Sequence, residues 1–416
     1  MVDVTTKEDF VKSLKNVKLI IGNGFDLHCG LHTKYSDFYC KNIDKYQYIS
    51  KKYKTYKQTD EVDFKSDVSK FSVWDIFFCL NSSEYPEHNS KSWCDIESLM
   101  LSSLLPEDFG DTPEKLSLYI DSTINWDAIK KCFTKRLMAT NHTDRFILEF
   151  INAKMEMKPY RLSEFYKFLL DELKEFEKSF GKFIYSQLHQ TWYERCNHGK
   201  EFLHEPYIKM AMDTINSLVD LNNLVAVDSF NYGDIRDQRI INKLQNINGN
   251  ISSPIFGVDS IFEPKDEKFI FTKTGRRIDA DLFQDNFQTK SEFENIVIFG
   301  HSLNEADYSY FFPLFDKMKL TDIFSNNTIV FAYSIFDRNR ENKIKANLRN
   351  SISNLLYAYA LDKKITNPKR FLDSLSTQKR IITYEIPLLN REEYGFTLVD
   401  EEWKEIFRKI DSLCEE

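Results

Sequence analysis

Val17-Lys18-Leu19-Ile20-Ile21-Gly22-Asn23-Gly24-Phe25-Asp26 is the stretch on which the fold turns. Its first five residues are a brief, largely aliphatic run that stops at glycine, the pattern of a strand buried on both faces of a parallel sheet. Similar runs follow at Leu224 to Phe230, Ile296 to Gly300, Thr328 to Ala332 and Ile381 to Tyr384. Helical patterns separate the later ones, at Tyr308 to Met318 and Arg338 to Leu361. Strands alternating with helices predict an α/β, Rossmann-like fold with a mostly parallel sheet. One strand lies near the N-terminus and the others beyond residue 220. The helix-rich stretch between them therefore reads as a large insertion. The expected organisation is a sheet-containing, nucleotide-binding-like core formed by 1–50 and 220–416, with a helical insertion over 51–219. Within the insertion, Trp93 to Leu105 and the region from about Asn125 to Glu201 carry apolar residues at helical spacing.

Composition narrows the class. The chain has 416 residues, with 35 Phe and 21 Tyr, enough to build a large aromatic core. Its formal net charge of −8 argues against a broad electrostatic grip on a nucleic-acid backbone. Seven cysteines form no C-x-x-C pair, so neither a disulfide framework nor zinc-ligand spacing is present, and a reducing cytoplasm is the expected setting. Met1 to Lys15 lacks an apolar signal core, and no run is long and apolar enough to span a membrane.

Five blocks could carry chemistry. Gly22-Asn23-Gly24-Phe25-Asp26 follows the first strand, where open α/β sheets bind ligands. Its two glycines permit a tight turn and a close approach of backbone N–H groups to phosphate. Asp26 could accept hydrogen bonds from a ribose or a base, or simply cap a helix. The pattern stops short of G-x-G-x-x-G because Leu27 stands at the third glycine position. Gly300-His301-Ser302 to Asp307 follows another strand. There Ser302 and Glu305 read as a capping box, leaving His301 and Asp307 to meet a ligand or to serve as structural hydrogen-bonders. Asn231, in Ser229-Phe230-Asn231-Tyr232, offers a donor and an acceptor, or is a turn residue. Asn246 to Asn250 reads as a turn. Glu97 lies on the Trp93/Met100 side of a helix, either buried and perturbed or a surface carboxylate.

In order and content these blocks resemble the AbiH family of bacterial abortive-infection proteins. The resemblance rests on Ile21 to Leu27 with Thr33 to Phe38 behind it, Trp93 to Glu97, Phe230-Asn231-Tyr232, Ile255 to Asp259, and Gly300 to Leu303 with Asp307. That family is distantly similar to sirtuin-like domains, which bind NAD on a glycine-rich first loop and in some phage-defence systems hydrolyse it. The resemblance implies that Gly22, Asn23, Gly24 and Phe25 bind phosphate and that Asn231 meets the nicotinamide ribose. It also implies that Gly300, His301, Ser302 and Asp307 line the far wall. Asn248-Gly249 stands where the family usually has His–Gly, and asparagine has no pKa near neutrality with which to act as a base.

Three readings compete. In the first, an enzyme cleaves the glycosidic bond of NAD using Asp26, Asn231 and His301. In the second, a non-catalytic switch binds a nucleotide-like small molecule or a phage-derived trigger, and changes how the insertion meets a partner or another copy of itself. In the third, a metal-dependent nuclease gathers Asp26, Glu97 and Asp307 around an ion. No firm cofactor is implied; NAD enters as ligand or substrate.

Overall fold

The computed structural model describes residues 6–83, 96–104, 142–155, 162–193, 205–233, 235, 237–258, 262–283 and 292–394. These fall into two compact units. The first comprises Met1–Thr33, Gly181–Pro254 and Arg277–Glu416, and the second Lys34–Phe180 and Ile255–Arg276.

The first unit contains a six-stranded sheet. Its strands are β1 (Val17–Ile21), β2 (Leu224–Ser229), β3 (Leu244–Asn246), β4 (Asn295–Phe299), β5 (Ile329–Tyr333) and β6 (Ile381–Glu385). The spatial order is β3-β2-β1-β4-β5-β6, and every neighbouring pair is parallel. This is the strand order of the doubly wound dinucleotide-binding fold. Burial follows position: β4 is buried throughout, whereas edge strand β6 buries only Tyr384. Central parallel strands have both faces covered, so the aliphatic runs seen in the sequence are what this sheet requires. On one face, Phe311, Phe315 and Met318 of the helix Tyr308–Lys317 and its end join Leu355, Leu356 and Tyr359 of the helix Glu341–Asp362 over Ile20, Ile298 and Phe331. Every regular element described between β1 and β2 is a helix, which is the expected insertion.

Strand β3 departs from the sequence reading, which takes Asn246 to Asn250 as a turn. Its three residues bury only Leu244, so no apolar run announces it. The turn begins just beyond, where Gly249–Asn250 pairs with Ser253–Pro254 in a two-stranded ladder.

The second unit is helical, with an aromatic core. Phe38 packs against Phe176 and Phe180, and Phe256 against the same two rings. The Trp74 indole N–H donates to the carbonyl of Leu169. Glu177, 3 % exposed, accepts two bonds from the Arg276 guanidinium and one from the Phe256 backbone N–H. Lys273 pairs with Glu97 at 2.8 Å. Glu97 is thus a half-buried, ion-paired helix residue; Trp93, Cys94 and Asp95 lie outside the described residues, as does Asp259. Among the described residues, no helix is long and apolar enough to cross a membrane.

Candidate functional site

The strand order reverses between β1 and β4, and the chain leaving each strand meets the other there. Gly22 N–H donates to the Phe299 carbonyl at 3.0 Å, and Gly24 N–H to the Gly300 carbonyl at 2.7 Å. A Cβ on Gly22 would lie 2.7 Å from His301 Cα, and one on Gly24 2.7 Å from Gly300 Cα. Gly300 has φ +70°, and a Cβ there would come within 2.2 Å of the Phe25 nitrogen. These three glycines let two backbones touch, and the N–H groups of Gly22 and Gly24 are spent inside the protein. Phe25 is fully buried with its ring edge-on to Phe299. Asn23 is exposed, and its side-chain oxygen accepts from the Thr33 hydroxyl at 2.5 Å.

Asp26 lies in the short helix Asn23–His28 and is 1 % exposed. Two neutral groups donate to the same oxygen, Oδ1: the Tyr207 hydroxyl at 2.7 Å and the Asn231 amide at 3.0 Å. The end of β2 positions Asn231. Phe230 N–H bonds to the Ile21 carbonyl, and the Asn231 N–H donates to the Ser229 hydroxyl. Burial raises the Asp26 pKa to about 7, and the two hydrogen bonds limit the rise. At neutral pH this carboxyl can either hold or accept a proton. The other oxygen, Oδ2, faces Gly233, where a Cβ would lie 3.5 Å from it and 3.1 Å from the Tyr207 hydroxyl. The Oδ1 atom of Asn231 is buried and has no partner among the described residues. Buried polar atoms are nearly always paired, so an orphan beside a buried carboxyl calls for an explanation.

His301 belongs to the same neighbourhood but is held by protein. Its Nδ1 accepts from the Leu303 N–H at 2.9 Å, which puts the proton of the neutral ring on Nε2, 3.5 Å from the Asp307 carboxylate. The ring stacks edge-on against Phe230 and Phe311, 4.4 and 5.1 Å between centroids. Leu303 is buried and takes the left-handed backbone, with φ 55°. Ser302 is exposed. A short 3-10 turn covers Glu305–Asp307, and the α-helix starts at Tyr308 with Asp307 as N-cap and no side-chain cap bond, so the Ser302/Glu305 capping box does not form there. Asn248 is buried, donating weakly to the Phe230 carbonyl and accepting from Arg277. The sequence reading missed Tyr207, Gly233 and His28. Tyr207 sits on an amphipathic helix where an aromatic reads as core. His28 is buried, with Nδ1 3.3 Å from the Ser334 hydroxyl and Nε2 without a partner among the described residues; burial lowers its pKa to about 4.

The fold and this junction define a doubly wound α/β protein in which the chain beyond β1 and β2 carries a buried carboxyl–amide pair. The family model for bacteriophage abortive infection AbiH matches residues 19–333, and the chain belongs to that family. Its membership assigns it a role in abortive infection, a defence against bacteriophage. No curated protein matches the chain, and neither does any solved structure. Ile255 to Val258, one of the blocks that suggested the family, lies in the second unit, where Phe256 joins the aromatic core and Gly257 faces the backbone of Lys273. Among the described residues, no group of three His, Cys, Asp or Glu side chains is placed to hold a metal ion.

Proposed function

We propose that this defence protein hydrolyses the glycosidic bond of a nucleotide, with NAD as the substrate, at the Asp26–Asn231 pair. The observation that carries the reading is Asp26 itself, a buried carboxyl tuned to about 7 and bonded through one oxygen only to neutral donors. A general base works best with a pKa near the working pH. In the reaction the bond between the ribose carbon and the nicotinamide nitrogen breaks. Its electron pair leaves with the ring, which departs neutral. The carbon takes the hydroxyl of water, and Asp26 receives the water proton. Ionised Asp26 also stabilises the positive charge that develops on the sugar. Asn231 and Tyr207 position the carboxylate, and Asn231 has an acceptor left to hold a substrate hydroxyl. The test is incubation of the purified chain with NAD. Release of free nicotinamide supports the reading, and an unchanged NAD pool with folded protein rejects it.

A second reading is favoured by Asn248, which has no titratable group and is tied to Arg277 and the Phe230 carbonyl. On that view the same residues bind a nucleotide-like or phage-derived trigger and signal to a partner or a second copy without turnover. Tight NAD binding with no product would select this reading over the first.

A further inference from the structure

A buried carboxyl and a buried carbonyl oxygen that face a ligand set conditions on what the ligand can offer. Among the described residues both donors to Asp26 fall on Oδ1, so Oδ2 is the oxygen left to a ligand. Asn231 must turn its NH2 toward Asp26, because only that end can donate to a carboxylate, so its own Oδ1 is the atom left over. Both free atoms are acceptors when Asp26 is ionised. A group that also carries only acceptors, such as phosphate, is repelled by both. The N–H groups of Gly22 and Gly24, which could have offset that repulsion, are bonded to the carbonyls of Phe299 and Gly300.

Resting on the reading of this site as a nucleotide site, we propose that Asp26 Oδ2 and Asn231 Oδ1 form a notch for a group bearing hydrogen-bond donors, and that its recognition is independent of phosphate. Gly233 is the residue that sets its size. A Cβ there would stand in van der Waals contact with Asp26 Oδ2, 3.5 Å away, and press on the Tyr207 hydroxyl at 3.1 Å. A methyl group at this position therefore occupies space beside the oxygen the ligand needs. Its φ is not in the left-handed range, so alanine is tolerated by the backbone.

The experiment is calorimetric titration of the full chain with NAD, nicotinamide riboside, free nicotinamide and inorganic pyrophosphate, repeated on Gly233→Ala, with thermal melts of both proteins. The riboside binds within about tenfold of NAD, pyrophosphate fails to compete, and Gly233→Ala weakens both ligands by about tenfold or more while its melting point stays near that of the parent. Binding of the riboside but not of free nicotinamide assigns the donors to the sugar hydroxyls; the reverse assigns them to the carboxamide. Competition by pyrophosphate with no riboside binding overturns the notch, as does a Gly233→Ala protein that binds like the parent. Riboside binding without NAD turnover leaves the notch standing and removes the proposed reaction. Absence of binding by all four probes overturns both.

Discussion

The Asn231 amide donates to Oδ1 of Asp26 at 3.0 Å across 205 positions of sequence. This bond joins the ends of β1 and β2. It holds the buried carboxyl so that, among the described residues, both hydrogen bonds fall on one oxygen. The functional account follows from that division.

The raised pKa of Asp26 makes its burial a pH-dependent cost. Between the usual carboxylate value of 3.8 and about 7 the folded protein holds a proton that the unfolded chain has released. Stability from this group is therefore greatest below about pH 4 and falls as pH rises through 7. Asp26→Asn removes the titration. The unfolding free energy of the variant relative to the parent should rise from pH 5 to about pH 7 by an amount on the order of a few kcal/mol, and level off above that. A pH-independent difference would contradict the burial argument.

Tyr207→Phe removes a donor that favours the ionised carboxyl. It should cost about 1–3 kcal/mol of stability. It should also move the Asp26 titration further upward, which a purely packing role would not do. The pH dependence of the melting temperature, or of any turnover, reads that shift.

Gly300→Ala should be far more damaging than the size of one methyl group implies. The left-handed φ alone costs more than about 1 kcal/mol for alanine. The added Cβ would also collide with the backbone of Gly24 and Phe25, which has no flexible end to give way. Loss of soluble protein or a drop of many degrees in melting temperature is expected, against little change for Gly233→Ala.

In the second unit, Glu177→Ala strands the buried Arg276 guanidinium and should cost about 3–5 kcal/mol. Replacing both partners with apolar side chains should recover most of that loss in a denaturation experiment.

The parallel sheet was legible because central strands must be aliphatic on both faces, so β1, β2, β4 and β5 announce themselves. Strand β3 did not, being three residues long with one buried side chain. The helices Tyr35–Lys41 and Ile43–Thr59 meet at Asn42, which ends one and opens the next without a glycine or proline to mark the break. Asp26, Asn231 and His301 could be located because each follows a strand end. Their division of labour could not. Only the folded geometry shows that His301 spends Nδ1 on Leu303 and that Gly22 and Gly24 spend their N–H groups on Phe299 and Gly300. Tyr207 was invisible for a different reason: its partner lies 181 positions away, and nothing near it in sequence departs from a core helix.

The decisive measurement is the rate of NAD hydrolysis by the purified chain and by Asp26→Asn, followed across pH 5 to 9. The account predicts a rate that climbs as pH passes through about 7, where Asp26 ionises, and a loss of about a hundredfold or more in the variant. An Asp26→Asn protein that hydrolyses NAD as fast as the parent, with the same pH profile, would contradict it.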